Sequence, residues 1–182
     1  MELKEVWQST EEIFSGVILK LNRDTVKMPD GKTATRELIR HVGAVCVVPL
    51  FDDGRVIMER QFRYPVNKVV YEIPAGKLDS KEEDPELAAR RELEEETGYT
   101  AEKLISLGEF YPAAAYTDEK VNMYVAMGLT PGKVHLDEGE FIDVETVPLE
   151  ELVKEVVAGK IPDAKTQAAI MRVHYMKEHG ML

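Results

Sequence analysis

Residues 76–99 have the sequence GKLDSKEEDPELAARRELEEETGY, and they predict the central helix of this 182-residue chain. Asp84 is a favourable N-cap, and Pro85 suits the first helical position because no hydrogen-bonded N–H is needed there. Gly98 suits a helix C-terminus, where a left-handed residue commonly ends the last turn. The segment therefore predicts a helix that begins after Asp84 and ends at Gly98.

The acidic residues of this helix gather on one face. Glu92, Glu95 and Glu96 stand at positions i, i+3 and i+4, whereas Ala89 and Leu93 point away from them and are expected to face the core. Two like charges at about 6 Å repel by roughly 0.7 kcal/mol in water, and by several times more in a cleft. A divalent cation would turn this repulsion into a binding site, and carboxylate oxygens suit Mg²⁺. The alternative is an ordinary solvated acidic helix face.

Strands and further helices are predicted around this segment. An alternating pattern with the turn Pro29-Asp30-Gly31 indicates a hairpin-like N-terminal extension. Helical signals run from residue 148 to 159 and from Asp163 to about Glu178. Strands are predicted at residues 14–21, 23–28, 33–39, 43–50, 55–61, 69–73, 101–110, 121–129 and 141–148. Together these segments predict a mixed α/β (α+β) domain.

The composition argues against several classes of function. The formal net charge of −11 disfavours binding to duplex nucleic acid, although a divalent cation can still bring an anionic diphosphate to an acidic protein. Cys46, the only cysteine, lies in an apolar run and is expected to be a small core residue. No apolar run is long enough to span a membrane, and residues 1–5 lack a signal-peptide pattern. We therefore expect no membrane partner and a cytoplasmic location.

The acidic face belongs to a longer motif. Residues 91–99, RELEEETGY, match the pattern Arg-Glu-apolar-x-Glu-Glu-x-Gly-apolar, and in this the chain resembles the Nudix hydrolases. The Nudix box opens at Gly76 and places five residues between this glycine and its first glutamate. Counting from Gly76 selects Glu82, and counting back from Arg91 selects Glu83. Glu83 is preferred, because a loop accepts an extra residue more readily than a helix does.

The resemblance extends over nearly the whole chain and points to the ADP-ribose pyrophosphatase branch of the family. It rests on PDGK (29–32), RE (36–37), GAV (43–45), RQFRYP (60–65), EIPAGK (72–77) and GKI (159–161). It implies the Nudix fold, a mixed β-sheet sandwiched between helices, preceded here by an N-terminal antiparallel β extension. It also implies a homodimer, in which residues 1–42 form an arm exchanged between subunits and residues 43–182 form the Nudix hydrolase domain.

The same resemblance implies roles for individual residues. The metal ligands, for two or three Mg²⁺ ions with Mn²⁺ as a substitute, would be the Ala75 carbonyl, Glu92, Glu96 and Glu140. Glu138 would be the catalytic base, supported by Glu95 and Arg91. Arg63 would contact the diphosphate, and Arg36 and Glu37 would border the adenine. The substrate-binding residues would thus be Arg36, Glu37, Arg63, Phe14 as a stacking ring, and Glu119.

Three of these residues could instead have an ordinary structural or surface role that involves neither binding nor catalysis. Arg63 could pair with a surface acid, Phe14 could be a core residue, and Glu138 could be an ordinary residue of the acidic loop 137–140. A departure from the branch also bears on substrate, because Ala114 stands where a proline is usual and makes that loop more flexible in the unfolded chain.

The expected reaction is Mg²⁺-dependent hydrolysis of a nucleoside diphosphate derivative, with ADP-ribose giving AMP and ribose 5-phosphate. Such chemistry depends on charge neutralisation and a positioned water. The Ala114 loop leaves open another nucleotide sugar, a dinucleoside polyphosphate or a nucleoside triphosphate as the substrate. An alternative of a different class is a regulatory module that binds ADP-ribose without cleaving it, and the intact carboxylates argue against it.

Overall fold

The N-terminal residues form a sheet of their own in the computed structural model, which describes residues 2–182. Strands β1 (Val6–Ser15), β2 (Lys20–Lys27) and β3 (Thr33–Arg40) pair in this order as an antiparallel meander, as predicted for the extension. The predicted strand at residues 14–21 is wrong, because a turn closed by the Gly16 N–H and the Leu19 carbonyl (2.8 Å) lies inside it. The apolar residues 17–19 continue the strand pattern but lie exposed on this turn.

Two further sheets and three helices make up the rest of the described chain. They are β4 (Ala44–Pro49), β5 (Arg55–Arg63), one turn of 3-10 helix (Tyr64–Val66), β6 (Lys68–Glu72), β7 (Ala75–Lys77), α1 (Pro85–Thr97), β8 (Tyr99–Phe110), β9 (Val121–Pro131), β10 (Ile142–Pro148), α2 (Leu149–Val157) and α3 (Ala164–Glu178). Strands β7-β4-β9-β8 form a mixed sheet in which β4 and β9 are parallel. Strands β10-β5-β6 form an antiparallel sheet. The predicted mixed α/β class is confirmed.

Strand β4 is buried on both faces of the mixed sheet. Alternate residues of a strand point to opposite faces, so Val45 and Val47 pack with Leu93 of α1, whereas Cys46 and Val48 pack with residues of α2 and α3. The mixed sheet is therefore sandwiched between α1 and the α2–α3 pair, as expected. The prediction that Cys46 is a core residue is also confirmed, and burial raises the pKa of its thiol to about 12.

Helix α1 begins and ends where its sequence predicts. The carboxylate of Asp84 accepts a hydrogen bond from the Glu86 N–H at 2.8 Å, and Gly98 ends the helix with φ +73°. Ala89 and Leu93 are fully buried against the mixed sheet. The caps fix the length of α1 and the buried face fixes its rotation, which together set the direction of the acidic face.

Helix α3 is also capped as predicted. The carboxylate of Asp163 accepts the N–H of Thr166 at 2.9 Å, and Ile170 and Val173 on the inner face are fully buried. No helix within residues 2–182 has the length and apolar character needed to cross a membrane.

Candidate active site

Two carboxylates of α1 are buried at the edge of the mixed sheet. Glu92 is 9% exposed and Glu96 is 4% exposed, whereas the side chain of Glu95 is 33% exposed. Oε2 of Glu96 accepts a hydrogen bond from the backbone N–H of Ala75, the first residue of β7, at 2.9 Å. The structure therefore brings the predicted metal-site residues Ala75, Glu92 and Glu96 together.

Gly76 makes room for one of these carboxylates. A Cβ atom built on Gly76 would lie 1.9 Å from the carboxyl carbon of Glu92 and 2.1 Å from each of its oxygens. Any side chain at position 76 would therefore displace Glu92. The close approach of this carboxylate to the β7 backbone forms a cradle of oxygen ligands that fits a divalent cation.

Burial and mutual repulsion raise the pKa values of these acids. The pKa of Glu92 is raised to about 7, chiefly by desolvation and against the attraction of Arg91. The pKa of Glu96 is raised to about 10 by desolvation, followed by the negative charges of Glu59 and Glu92. A bound cation would favour the ionised forms, so the donor set suits a ligand that brings positive charge.

Arg91 holds the acidic face from one side. Its guanidinium lies 2.7 Å from Oε1 of Glu92, 3.0 Å from Oε2 of Glu95 and 3.5 Å from Oε1 of Glu83. Glu82 is exposed and makes no ion pair within the described residues. Of the two candidates for the first glutamate of the box, Glu83 is thus the one that contacts Arg91.

Two buried acids on the neighbouring sheet were not predicted from the sequence. Glu59 of β5 and Glu72 of β6 lie directly opposite each other, and each is 2% exposed. Oε1 of Glu59 is buried without a hydrogen-bond partner among residues 2–182. Desolvation, followed by the charge of Glu72, raises the pKa of Glu59 to about 8. The sequence contains a signal for Glu59. This acid directly follows the apolar residues 56–58 within the predicted strand 55–61, so its burial could have been expected.

Arg63 pairs with one of these buried acids and not with a surface acid. Its Nε and Nη2 atoms donate to the two oxygens of Glu72 at 2.8 and 3.1 Å, and Lys165 of α3 donates to the same carboxylate. Beside this group lies a cavity of about 460 Å³. Its lining includes Arg63, Val66, Val69, Glu72, Pro162 and Lys165.

The two acids of the loop before β10 are placed differently. Glu140 is partly buried, and its charge contributes to the raised pKa values of Glu59, Glu92 and Glu96. Glu138 is exposed, next to Gly139 with φ +88°. Glu140 therefore lies close enough to the acidic cluster for its charge to act there, whereas no such effect of Glu138 is found within residues 2–182.

The predicted adenine-site residues lie on the N-terminal sheet. Arg36 donates to Glu5, and Glu37 accepts from Arg23 at 3.0 Å. Phe14 is 56% exposed, so it is not a core residue of this chain. No hydrogen bond or ion pair of Arg36 or Glu37 within residues 2–182 reaches the acidic face of α1.

Glu119 lies in a segment that joins the N-terminal sheet to the rest of the chain. It is 3.9 Å from Nδ1 of His41, and the neighbouring Thr117 pairs with Ile39 of β3. The altered loop before it forms a turn, in which the N–H groups of residues 116 and 117 donate to the Ala113 carbonyl at 3.1 and 3.2 Å. The loop that contains Ala114 is therefore ordered by its own hydrogen bonds.

A second group of potential ligands lies on the opposite side of the mixed sheet. Ligand atoms of Glu150, His174 and Glu178 on α2 and α3 lie within 4.8 Å of one another. Both glutamates are exposed, and α1 packs on the other face of the sheet. This group was not predicted and is separate from the acidic face.

The fold and the acidic face together define the class of the protein. Residues 40–169 match the family model described as the NUDIX domain, and the chain belongs to the Nudix family. It is 45% identical over 170 residues to the ADP-ribose pyrophosphatase of Bacillus subtilis, and the matched region covers 92% of this chain and 91% of the relative. It is 43% identical over 163 residues to the methanol dehydrogenase activator of Bacillus methanolicus, covering 88% of each chain.

A solved structure supports the same fold. The crystal structure of an ADP compounds hydrolase superimposes with a TM-score of 0.86 over 100% of both chains at 24% sequence identity. At this identity the likeness concerns the fold alone. The mixed sheet between helices and the N-terminal sheet are therefore arranged as in a solved member of this fold.

Proposed function

We propose that the chain is a metal-dependent hydrolase that cleaves the diphosphate of ADP-ribose to give AMP and ribose 5-phosphate. The observation that carries this proposal is the meeting of the buried carboxylates Glu92 and Glu96 with the Ala75 segment, close to an arginine-lined cavity. Oxygen donors on one side suit a divalent cation, and a fixed guanidinium on the other suits phosphate oxygens. The relative named ADP-ribose pyrophosphatase supports this choice of substrate.

The metal site would be held by residues of α1, the β7 segment and the loop before β10. The proposed ligands of two or three Mg²⁺ ions, or of Mn²⁺ in their place, are the Ala75 carbonyl, Glu92, Glu96 and Glu140. Bound there, the cation would neutralise the diphosphate charge and lower the pKa of a bound water. Arg91 would hold Glu92 and Glu95 in place, since it contacts both.

The remaining steps fall to this chain's own side chains. Arg63 would bind the diphosphate oxygens. Glu138 would accept a proton from the attacking water, and Gly139, which has no side chain to restrict its backbone, would let the loop close over the substrate. The water oxygen would bond to phosphorus as the bond between that phosphorus and the bridging oxygen breaks. Glu119 is proposed to contact the substrate from the neighbouring segment.

Product release under defined metal conditions tests this function. The purified chain is incubated with ADP-ribose in Mg²⁺ or in EDTA, and AMP is quantified by chromatography. Values of kcat/KM for ADP-ribose, GDP-mannose, a dinucleoside polyphosphate and ATP then rank the substrates. Preference for another compound would replace ADP-ribose within the same chemistry. Binding of ADP-ribose without AMP release in Mg²⁺ would support a regulatory module instead.

We further propose that the chain acts as a homodimer in the cytoplasm, with residues 1–42 exchanged between subunits. The exposed apolar side chains of this arm support the dimer, because such a surface is costly in water unless it is covered. They are Leu3, Val6, Trp7, Ile13, Phe14, Val17, Ile18 and Leu19. In the dimer, Arg36, Glu37 and Phe14 would serve the partner's adenine site. The cytoplasmic location remains a prediction.

A further inference from the structure

Lys165 is a partly buried cation in the first turn of α3, and the proposed catalytic steps do not use it. Its side chain is 16% exposed, and its ammonium donates to Glu72 and lies 3.1 Å from Oδ1 of Asp163. Burial alone would lower the pKa of Lys165, but the charges of Asp163 and Glu72 outweigh burial and raise it. Lys165 is therefore a fixed positive charge beside the cavity.

The carboxylate of Glu72 is shared between Lys165 and Arg63. Arg63 donates from Nε to Oε1 at 2.8 Å and from Nη2 to Oε2 at 3.1 Å, so both carboxylate oxygens hold the guanidinium plane. Nη1 of Arg63 has no hydrogen-bond partner within residues 2–182. The arrangement fixes the guanidinium and leaves one of its amino groups for a ligand.

The charge balance of this group depends on Lys165. Glu59 lies opposite Glu72 and is equally buried, and none of its atoms forms an ion pair in the described part of the chain. Without Lys165, Arg63 would be the single cation in direct contact with this pair of buried acids. Removing one partner of a buried charge group leaves an uncompensated charge, which is strongly unfavourable. Glu72 would then be held by Arg63 alone, and the Arg63 charge would be drawn more strongly to the two acids, so its grip on a diphosphate would weaken.

The same turn of α3 also anchors the segment that leads to the metal side of the site. Oγ1 of Thr166 accepts the backbone N–H of Ile73 at 3.0 Å and donates to Asp163 at 2.6 Å. Ile73 stands two residues before Ala75, whose N–H binds Glu96. The first turn of α3 therefore contacts both Arg63, through Glu72, and the Ala75 segment.

We propose that Lys165 is a positioning residue for the diphosphate, acting through Glu72 to hold the Arg63 guanidinium in the lining of the cavity. This inference rests on the proposed function in one respect, that Arg63 is the group that binds the diphosphate. Lys165 itself does not touch the reacting atoms, so its removal should weaken substrate binding more than it slows the chemical step.

The test compares Lys165→Met, Lys165→Arg and the control Lys160→Met, which removes an exposed lysine from the loop before α3. Steady-state kinetics give KM and kcat for ADP-ribose, and calorimetry gives the Kd of inorganic pyrophosphate in Mg²⁺. Loss of charge-assisted hydrogen bonding should raise KM and this Kd about tenfold or more in Lys165→Met. We expect kcat to stay within about threefold, because the acidic face is intact. Lys165→Arg should recover most of the affinity, and Lys160→Met should match the wild type.

A double variant separates positioning from simple attraction. Lys165→Met combined with Glu72→Gln restores the net charge of the group but removes the carboxylate that holds Arg63. Continued weak pyrophosphate binding in the double variant supports positioning, whereas wild-type affinity would overturn it. Circular dichroism checks folding, and Lys165→Gln replaces Lys165→Met under the same criteria if the latter does not fold.

Pyrophosphate binding also keeps this inference apart from the proposed function. A wild-type chain that binds pyrophosphate but releases no AMP from ADP-ribose would refute the proposed function and leave the Lys165 test intact. Unchanged pyrophosphate affinity together with unchanged KM in Lys165→Met would refute the role of Lys165.

Discussion

The substitution Glu96→Gln tests the acidic face by removing a single charge. Glutamine has the size of glutamate, and its Oε1 atom can still accept the Ala75 N–H that Glu96 accepts at 2.9 Å. The helix and its packing should therefore persist, while a charged metal ligand is lost. We expect hydrolysis of ADP-ribose to fall by on the order of 100-fold or more at saturating Mg²⁺.

The same substitution should stabilise the protein when no cation is bound. In that state the pKa of Glu96 is raised from 4.5 to about 10, so the folded protein holds a proton that the unfolded chain releases. Its stability must then fall as the pH rises from 4.5 towards 10. Between pH 4.5 and 7 the loss is at most about 3 kcal/mol, at roughly 1.4 kcal/mol per pH unit. Glu96→Gln should recover part of this loss at pH 7 and almost none at pH 4.5.

Urea denaturation in EDTA at these two pH values measures the effect, and the measurement is repeated with added Mg²⁺. Glu94→Gln, an exposed position on the same helix, is the matched control and should change neither stability nor turnover appreciably. Mg²⁺ should stabilise the wild type and the control more than Glu96→Gln. Turnover of Glu96→Gln within tenfold of the wild type would refute the proposed metal face. Equal stabilities of wild type and variant in EDTA at pH 7 would refute the assigned cost of burying this carboxylate.

Three further predictions concern the cradle, the arm and the loop. Gly76→Ala should displace the Glu92 carboxylate and weaken Mg²⁺ binding by about tenfold or more, as expected when a ligand is moved out of place. Calorimetry measures the Mg²⁺ affinity, and an unchanged value would contradict this prediction. Deletion of residues 1–40 should abolish the dimer in light scattering, and a fully active monodisperse monomer would exclude the exchanged arm. Glu138→Gln should lower kcat by about 10²–10⁴-fold at every Mg²⁺ concentration, as expected for a lost base. Glu140→Gln should be partly rescued by added Mg²⁺, and the opposite pattern would reverse the two roles.

Local sequence signals predicted most of the fold because they act within a few residues. Asp84 and Gly98 bound α1 as their capping preferences require, and the apolar run at residues 43–50 became the doubly buried strand β4. The prediction failed at residues 14–21, where the apolar pattern continues through the turn after Gly16. Strand β1 is exposed along its whole length, so its residues lack the alternation with burial on which a strand prediction depends.

The candidate site was predictable where its residues are close in sequence. The helix spacing placed Glu92 and Glu96 on one face, and the structure buries both. The second part of the site was not predicted, because it depends on the register between β5 and β6 and on the packing of α3. Glu59 meets Glu72 only through strand pairing, and Lys165 reaches Glu72 across 93 positions of sequence. No local pattern encodes such contacts.

The distribution of paired and unpaired acids indicates where a cation is needed. Arg91 pairs with Glu92 and Glu95 on α1, and Arg63 and Lys165 pair with Glu72 in the lining of the cavity. The ion-pair distances are 2.7 and 3.0 Å for Arg91 and 2.8 Å for Arg63. Glu96 and Glu59 have no cationic partner in an ion pair among residues 2–182, and the charge of Glu59 raises the pKa of Glu96. A buried carboxylate without a partner is costly unless it is protonated or bound to a metal. The acids without a partner thus lie at the end of α1 and on β5, so added Mg²⁺ should lower the pKa of Glu96 and release protons as it binds.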